Sequence, residues 1–140
     1  MKGSSYCYMV RSLSHHLSIS KPPGAPGTGK TLTAEIVADS VQRPLYPLTC
    51  GDIGTTAAEI ESNMAQHSKL ARHWNCVMLL DEADVFLSQR TRDYQQNSMV
   101  SVFLRVLSSY DGILFLTTNR VGVLDEAFRS RIHLTLHCEF

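Results

Sequence analysis

The chain contains, at residues 24–31, the stretch Gly24-Ala25-Pro26-Gly27-Thr28-Gly29-Lys30-Thr31. It fits the pattern G-x-x-x-x-G-K-[ST] at every fixed position. The glycines allow successive backbone N–H groups to point inward at phosphate oxygens, at the positive end of the helix that follows. In this pattern the lysine reaches the β- and γ-phosphates and the last hydroxyl coordinates Mg²⁺, which assigns these tasks to Lys30 and Thr31. The stretch therefore predicts a phosphate-binding loop.

A second group of polar residues follows the apolar run Val77-Met78-Leu79-Leu80, which ends in Asp81-Glu82. Ionised carboxylates at the end of a buried strand repel each other unless a cation lies beside them. Nucleotide-bound Mg²⁺ would supply that cation through Asp81, and Glu82 would then polarise an attacking water. The alternative is an acidic helix N-terminus without chemistry, which is how we interpret the nearby Asp84.

Two further features lie downstream of this run. The buried strand predicted at Phe115-Leu116-Thr117 is followed by Thr118-Asn119, and the Asn119 amide could orient water beside a γ-phosphate. Its alternative role is a turn-forming residue. Arg129 and Arg131 precede the last predicted strand, and in a ring of ATPases either could stabilise charge in a neighbour's site.

Hydrophobic patterns along the chain predict alternating helices and strands, which is typical of a parallel α/β sheet. Thr56, with Glu59 three residues later, predicts a capping box at a helix start. Residues 1–21 are predicted to be irregular, with a short strand-like stretch at Leu17–Ser20, and residues 88–97 to be a polar loop or frayed helix end. The predicted helices are 31–41, 56–74 and 98–110, and the predicted strands are 45–49, 76–80, 113–117 and 132–136.

Composition limits the class of protein. The 140 residues are enough for one domain, and thirteen basic and thirteen acidic residues cancel, so net charge gives no indication of a nucleic-acid partner or a membrane surface. Four scattered cysteines predict reduced thiols in an intracellular protein. His133, His137 and Cys138 lack a second ligand pair, so we predict no metal site there. The first acidic residue is Glu35, and the segment before it resembles a mitochondrial presequence only faintly.

These motifs, in this order, resemble the AAA family of P-loop ATPases over residues 22–136, and in particular poorly characterised AAA proteins of fungi. The resemblance implies ATP and Mg²⁺ as cofactors, hydrolysis of ATP, and a ring of identical chains, usually a hexamer. It also implies a three-layer α/β core with a parallel sheet of strand order 5-1-4-3-2. By resemblance, the functional residues are Gly24–Thr31 with Leu32 (Walker A), Val77–Glu82 (Walker B), Asn119 (sensor 1), and Arg131, or second Arg129, as the arginine finger.

The sequence departs from the family pattern in three places. Ser18-Ile19-Ser20-Lys21-Pro22-Pro23 occupies the position of the apolar strand that should run into the loop, and prolines fit a central strand poorly. No C-terminal helical lid precedes the last residue, Phe140. Gly51–Glu61 lacks the aromatic-aliphatic-Gly pore loop, which puts polypeptide threading in doubt. We therefore expect residues 22–140 to form an incomplete AAA core, truncated at both ends.

Three alternative functions remain to be weighed. A GTPase would carry an N-K-x-D motif, which the sequence lacks, and a small-molecule kinase would not need Glu82. A nucleotide-binding scaffold without turnover is the alternative from another class. We expect an ATPase that remodels an unknown protein or complex, inside the cell and mainly in the cytoplasm, with nucleus and mitochondrion left open.

Overall fold

The computed structural model describes residues 4–10, 29–87, 93–118 and 126–139, with side chains for 32–86, 93–118 and 126–132. Eleven helices and strands lie in these ranges. In chain order they are β1 (Ser4–Val10), α1 (Gly29–Ser40), β2 (Leu45–Leu48), α2 (Cys50–Ile53), α3 (Ala57–His73), β3 (Val77–Leu80), α4 (Asp84–Leu87), α5 (Tyr94–Ser109), β4 (Leu114–Thr118), α6 (Glu126–Arg129) and β5 (Ile132–Glu139).

The strands form one five-stranded sheet of order β2-β3-β4-β1-β5, which is the predicted order 5-1-4-3-2 read from the other edge. β2, β3 and β4 pair in parallel, with Leu79 opposite both Pro47 and Phe115. The α/β fold is therefore confirmed, with parallel pairing in three of the five strands, β2, β3 and β4.

Strand β1, which lies inside the sheet between β4 and β5, corrects two expectations. It pairs antiparallel with both β4 and β5, so the sheet is mixed rather than parallel throughout. It also lies within residues 1–21, so the prediction that this segment is irregular was wrong for Ser4–Val10. The physical reason is that a segment ending in Lys21-Pro22-Pro23 fits a central strand poorly, because proline has no N–H to donate, whereas Tyr6, Tyr8 and Val10 favour strands. The strand-like stretch Leu17–Ser20 lies outside the described residues.

One face of the sheet is covered by α1. Ala34, Val37 and Ala38 are buried against the odd-numbered strand residues Val77, Leu79 and Phe115, and against Ile113, which directly precedes β4. Small side chains on the helix let its backbone approach the sheet closely. This packing fixes the helix that follows the phosphate-binding loop directly on β3 and β4.

The opposite face of the sheet carries α3 and α5. Even-numbered strand residues such as Met78 and Leu116 lie in this second core. Phe103 of α5 stacks on Phe86 with ring centroids 4.5 Å apart and contacts Phe128 at 5.9 Å. Burial of each such ring contributes about 1.5–3 kcal/mol. Together the two cores make three layers, with helices on both faces of the sheet.

The helix ends follow from side-chain caps. Thr56 accepts a hydrogen bond from the Glu59 N–H and the Glu59 carboxylate accepts from the Thr56 N–H, so the predicted capping box is confirmed at the start of α3. α5 begins at Tyr94, four residues before the start that we predicted at residue 98. The reason is Asp93, whose side chain accepts from the Gln95 N–H at 3.0 Å and caps the helix within the segment expected to be loop or frayed helix.

Candidate active site

The first turn of α1 lies at the carboxyl edge of the sheet. The last turn of α1 leads into β2, and the Val77 N–H at the start of β3 donates to the carbonyl of Pro44 at 2.8 Å. The C-terminal end of α1 therefore lies near the amino edge of the strands. A helix of twelve residues is about 18 Å long, and four strand residues span about 13 Å, so the helix reaches past the carboxyl end of β3. Lys30 and Thr31 belong to this first turn, while residues 24–28 lie outside the described ranges.

Asp81 follows β3 at that edge, on the side of the sheet that faces α1. Its N–H continues the ladder by donating to the carbonyl of Leu48 at 3.0 Å. Val77 and Leu79 pack on α1, so alternation along the strand places Asp81 on the same side. The sheet therefore brings the Asp81 carboxylate and the first turn of α1 to one edge and one face.

Thr117, near the end of β4, holds the turn that begins at Asp81. Its hydroxyl donates to Oδ1 of Asp81 and accepts from the Glu82 N–H at 3.0 Å. Its carbonyl accepts from the Ala83 N–H at 2.8 Å. Three consecutive residues of the turn are thus bonded to one buried threonine.

Glu82 has an unusual backbone conformation. Its φ of 54° lies in the left-handed region, which non-glycine residues seldom adopt. Its N–H is held by Thr117, and its carbonyl accepts a hydrogen bond from the Cys50 thiol at a donor–acceptor distance of 3.2 Å. The Glu82 side chain is exposed beside the half-buried Asp81. The same φ of 54° occurs at Gln42 and Asn75. The feature that favours a chemical role for Glu82 is therefore its exposed carboxylate next to Asp81, on a backbone held by two hydrogen bonds.

The turn has a marked excess of negative charge. Burial raises the pKa of the Cys50 thiol, and three nearby carboxylates, those of Asp84, Glu82 and Asp81, raise it further. Among the described side chains, none of these carboxylates has a cationic partner, and the ion pairs Arg72–Asp111 and Arg105–Glu61 lie elsewhere. The described side chains, which begin at residue 32 and so do not include Lys30, therefore give this turn negative charge only.

Such a site fits magnesium bound together with a nucleotide. Mg²⁺ prefers oxygen ligands and is usually held by one or two carboxylates, waters and phosphates rather than by an all-protein cage. No group of three or more His, Cys, Asp or Glu residues is placed to hold a metal within the described ranges. The Asp81 carboxylate, turned toward the side of the sheet that carries α1, is the ligand that the described residues offer.

The sequence profile of the family described as "ATPase family associated with various cellular activities (AAA)" matches residues 23–140. The chain belongs to the AAA family of ATPases. Membership confirms the predicted P-loop fold, the enzyme class of an ATPase, and ATP with Mg²⁺ as the cofactors. AAA proteins usually assemble as rings, which agrees with the oligomer expected from the sequence.

The curated relatives of this AAA chain include bacterial proteins named ATP-dependent zinc metalloprotease FtsH. The protein of Buchnera aphidicola subsp. Acyrthosiphon pisum is 30% identical over 118 residues, which cover 74% of this chain and 19% of the relative. The Clostridium perfringens protein is 31% identical over 117 residues, covering 74% and 16%. The Parabacteroides distasonis protein is 28% identical over 134 residues, covering 81% and 19%. The chain thus spans about a fifth of the length of these relatives or less. The protease and zinc functions in their names belong to the relatives and are not assigned to this chain.

Asn119, the predicted sensor 1 residue, lies outside the described residues. The strand that precedes it, β4, pairs with β3 on one side and β1 on the other. The last described residues of β4, Thr117 and Thr118, contact the turn that begins at Asp81. The role of Asn119 stays a prediction.

The two candidate finger arginines differ in their surroundings. The Arg131 guanidinium is half-buried; its Nε donates to the Ser108 hydroxyl at 2.8 Å and its Nη1 to the Ala127 carbonyl at 2.6 Å. Arg129, at the end of α6, is exposed and makes no ion pair with a described side chain. Arg131 is thus tied to its own chain in this conformation, whereas Arg129 projects freely from the described surface. Which of them acts as a finger stays a prediction.

Sequence reasoning missed Thr117 and Thr118. The Thr118 hydroxyl donates to Oδ1 of Asp84, which supports the structural role predicted for Asp84. Two hydroxyl residues at the end of an otherwise apolar strand were a visible signal, because a buried hydroxyl needs a partner. The acidic residues that could supply that partner lie between Asp81 and Asp84, just after β3, which pairs in parallel with β4.

Proposed function

We propose that the chain is the nucleotide-hydrolysing core of an AAA ATPase, converting ATP to ADP and phosphate. The proposal rests on one observation above all, the strained and negatively charged turn at Asp81-Glu82 beside the first turn of α1. Three carboxylates close together in one turn repel each other and lower stability unless a cation lies beside them, and a nucleotide-bound Mg²⁺ would be that cation.

Each residue has a distinct task in this proposal. The loop residues 24–29 surround the phosphates and donate to them through every backbone N–H except at Pro26, which has none. Lys30 and Leu32 also hold the phosphates, and Thr31 and Asp81 would bind Mg²⁺. Bound Mg²⁺ supplies positive charge to the transferring phosphoryl group. Glu82 accepts a proton from the attacking water. The water oxygen bonds to the γ-phosphorus as the bond from that phosphorus to the bridging oxygen breaks. Asn119 orients that water.

Nucleotide binding is tested with the purified Lys30→Ala variant. We expect Lys30→Ala to abolish ATP binding in isothermal titration, because the ammonium neutralises phosphate charge in the ground state. Unaltered binding by this variant would refute the loop assignment.

Phosphate release by the unsubstituted protein separates the ATPase from the alternative of a scaffold that binds ATP without turnover. ATP is expected to compete better than GTP, because the sequence carries no guanine-reading motif.

We further propose that identical chains form a ring in which an arginine, Arg131 or Arg129, completes the neighbour's site. Replacing the finger should leave ATP binding intact and reduce hydrolysis by about 10³–10⁵. Mixing Arg131→Ala chains with Lys30→Ala chains should restore part of the activity, because the second chain still offers a sound arginine. No recovery despite confirmed co-assembly would exclude Arg131 as a finger in trans, and the same mixture made with Arg129→Ala then tests the other candidate.

The work done by hydrolysis is proposed to be remodelling of a protein or complex within the cell, with the cytoplasm as the expected location. Among the described helices, none is long and apolar enough to cross a bilayer. The segment after β2, where a pore loop would lie, instead forms α2, which Thr49 and Asp52 close with a capping box. This compact turn gives no support to polypeptide threading.

A further inference from the structure

We propose that Thr117 is a positioning residue that sets the geometry of both Asp81 and Glu82 for ATP hydrolysis. The inference rests on the proposed function of these two carboxylates and adds a residue that acts on both through a single buried hydroxyl. It is carried by the hydrogen bonds of the turn and by the backbone conformation of Glu82.

The hydroxyl of Thr117 is both donor and acceptor, and each bond fixes a different part of the site. Its proton goes to Oδ1 of Asp81, which fixes the orientation of that carboxylate. Its lone pair accepts the Glu82 N–H at 3.0 Å. Because the residue is fully buried, no water competes for either bond. One hydroxyl therefore couples the orientation of the metal-binding carboxylate to the backbone of the proposed general base.

Glu82 needs such support because its left-handed backbone, with φ at 54°, is unfavourable for any residue with a Cβ. The peptide groups on its two sides are held by different elements. Thr117 of β4 accepts from its N–H, and the thiol of Cys50 at the start of α2 donates to its carbonyl. The Ala83 N–H, bonded to the carbonyl of Thr117, prevents the turn from sliding along β4. Without the Thr117 hydroxyl, the N–H of Glu82 loses its partner and the turn can relax to a commoner conformation.

The neighbouring threonine provides the contrast. Thr118 is also buried, and its hydroxyl donates to Asp84 at the start of α4, on the face of the sheet that carries α3 and α5. Alternation along β4 thus sends one hydroxyl to Asp81 and the next to Asp84. The two threonines are matched in type, burial and strand, but their hydroxyls donate to different carboxylates, that of Thr117 to Asp81 and that of Thr118 to Asp84.

The test compares Thr117→Ala with Thr117→Ser, which both remove the methyl group and differ only in the hydroxyl. We expect Thr117→Ala to lower kcat for ATP by about 10–100-fold, as is typical when a residue that orients a metal ligand is lost. Its Kd for ATP without Mg²⁺ should be unchanged, and Thr117→Ser should keep kcat near that of the unsubstituted protein. Thr118→Ala is the control and should leave kcat unchanged. Equal kcat values for Thr117→Ala and Thr117→Ser would overturn the proposal.

A second readout needs no ATP turnover and so separates this inference from the proposed function. Amide hydrogen exchange at Glu82 should become about tenfold faster in Thr117→Ala and stay unchanged in Thr117→Ser and Thr118→Ala. Unchanged exchange in Thr117→Ala would refute the inference even if ATP is hydrolysed. Loss of protection together with an inactive unsubstituted protein would refute the proposed function instead. If Thr117→Ala does not fold, Thr117→Val, which keeps the side-chain volume, takes its place with the same expected results.

Discussion

The left-handed backbone of Glu82 leads to a stability prediction of unusual sign. A residue with a Cβ at φ 54° carries a penalty of about 1–2 kcal/mol. Glycine escapes this penalty but loses about 0.5–1 kcal/mol through the greater freedom of its unfolded chain. Glu82→Gly and Glu82→Ala both remove the carboxylate, so its repulsion with Asp81 cancels in their comparison. The difference that remains predicts that the glycine variant is more stable, by about 0.5–1 kcal/mol.

The matched control is Glu61, which is exposed in the middle of α3. Both Glu61→Gly and Glu61→Ala lose the ion pair with Arg105, so this loss also cancels. Here the helical backbone favours alanine, and the glycine variant should be less stable by about 1 kcal/mol. Urea unfolding of the four variants without nucleotide measures both differences. If alanine is as stable as glycine at position 82, or more stable, the backbone strain that we assign to the site does not exist.

Three further predictions concern other parts of the molecule. Gly54→Ala should destabilise the protein by more than about 1 kcal/mol in urea unfolding, because φ at Gly54 is 107° and an added Cβ would lie 2.6 Å from Cβ of Glu59. Gly51→Ala should not destabilise the protein, because its added Cβ would meet no atom nearer than 3.5 Å. Burial raises the pKa of Tyr110 to about 12. Its contribution to the free energy of unfolding is therefore complete below the unfolded pKa of about 10 and is lost as the pH rises to 12. Tyr110→Phe should remove this part of the fall in stability when the free energy of unfolding is measured against pH. Arg131→Ala should lower stability by about 1–2 kcal/mol through loss of its two hydrogen bonds, whereas Arg129→Ala should change it by less than about 0.5 kcal/mol in the same assay.

Much of the fold could be predicted because the strands and helices carry strong patterns. Continuous apolar runs such as Val77–Leu80 are typical of strands covered on both faces, and the structure buries all four residues of that run. Family resemblance supplied the strand order, which the pairing of β3 with both β2 and β4 confirms. Local caps were readable as well, as Thr56 and Glu59 illustrate.

β1 could not be predicted because strand direction is a tertiary property. Nothing near Ser4–Val10 in sequence indicates that its partners are β4 and β5, more than a hundred residues away. The expectation of a parallel first strand next to the loop drew attention to Leu17–Ser20 instead.

The chemistry of the site was predicted only in part, for a related reason. Motif spacing identified Asp81 and Glu82, but their supports come from β4 and α2, more than thirty residues away. Thr117 and Cys50 belong to no local motif, and only the folded sheet places them against the turn. The left-handed conformation of Glu82 is likewise a result of those contacts and cannot be read from the residues Asp81-Glu82-Ala83 alone.

The measurement that tests the account most directly is phosphate release from a preformed protein–ATP complex after addition of Mg²⁺, with the unsubstituted protein and Glu82→Gln side by side. The amide cannot accept a proton from water, yet it keeps the size of the side chain, so ATP occupancy should be equal in the two complexes. We predict phosphate release by the unsubstituted protein and a rate about 10²–10⁴ lower in Glu82→Gln. Equal rates, or loss of ATP binding in Glu82→Gln, would contradict the assignment of Glu82 as the base that activates water.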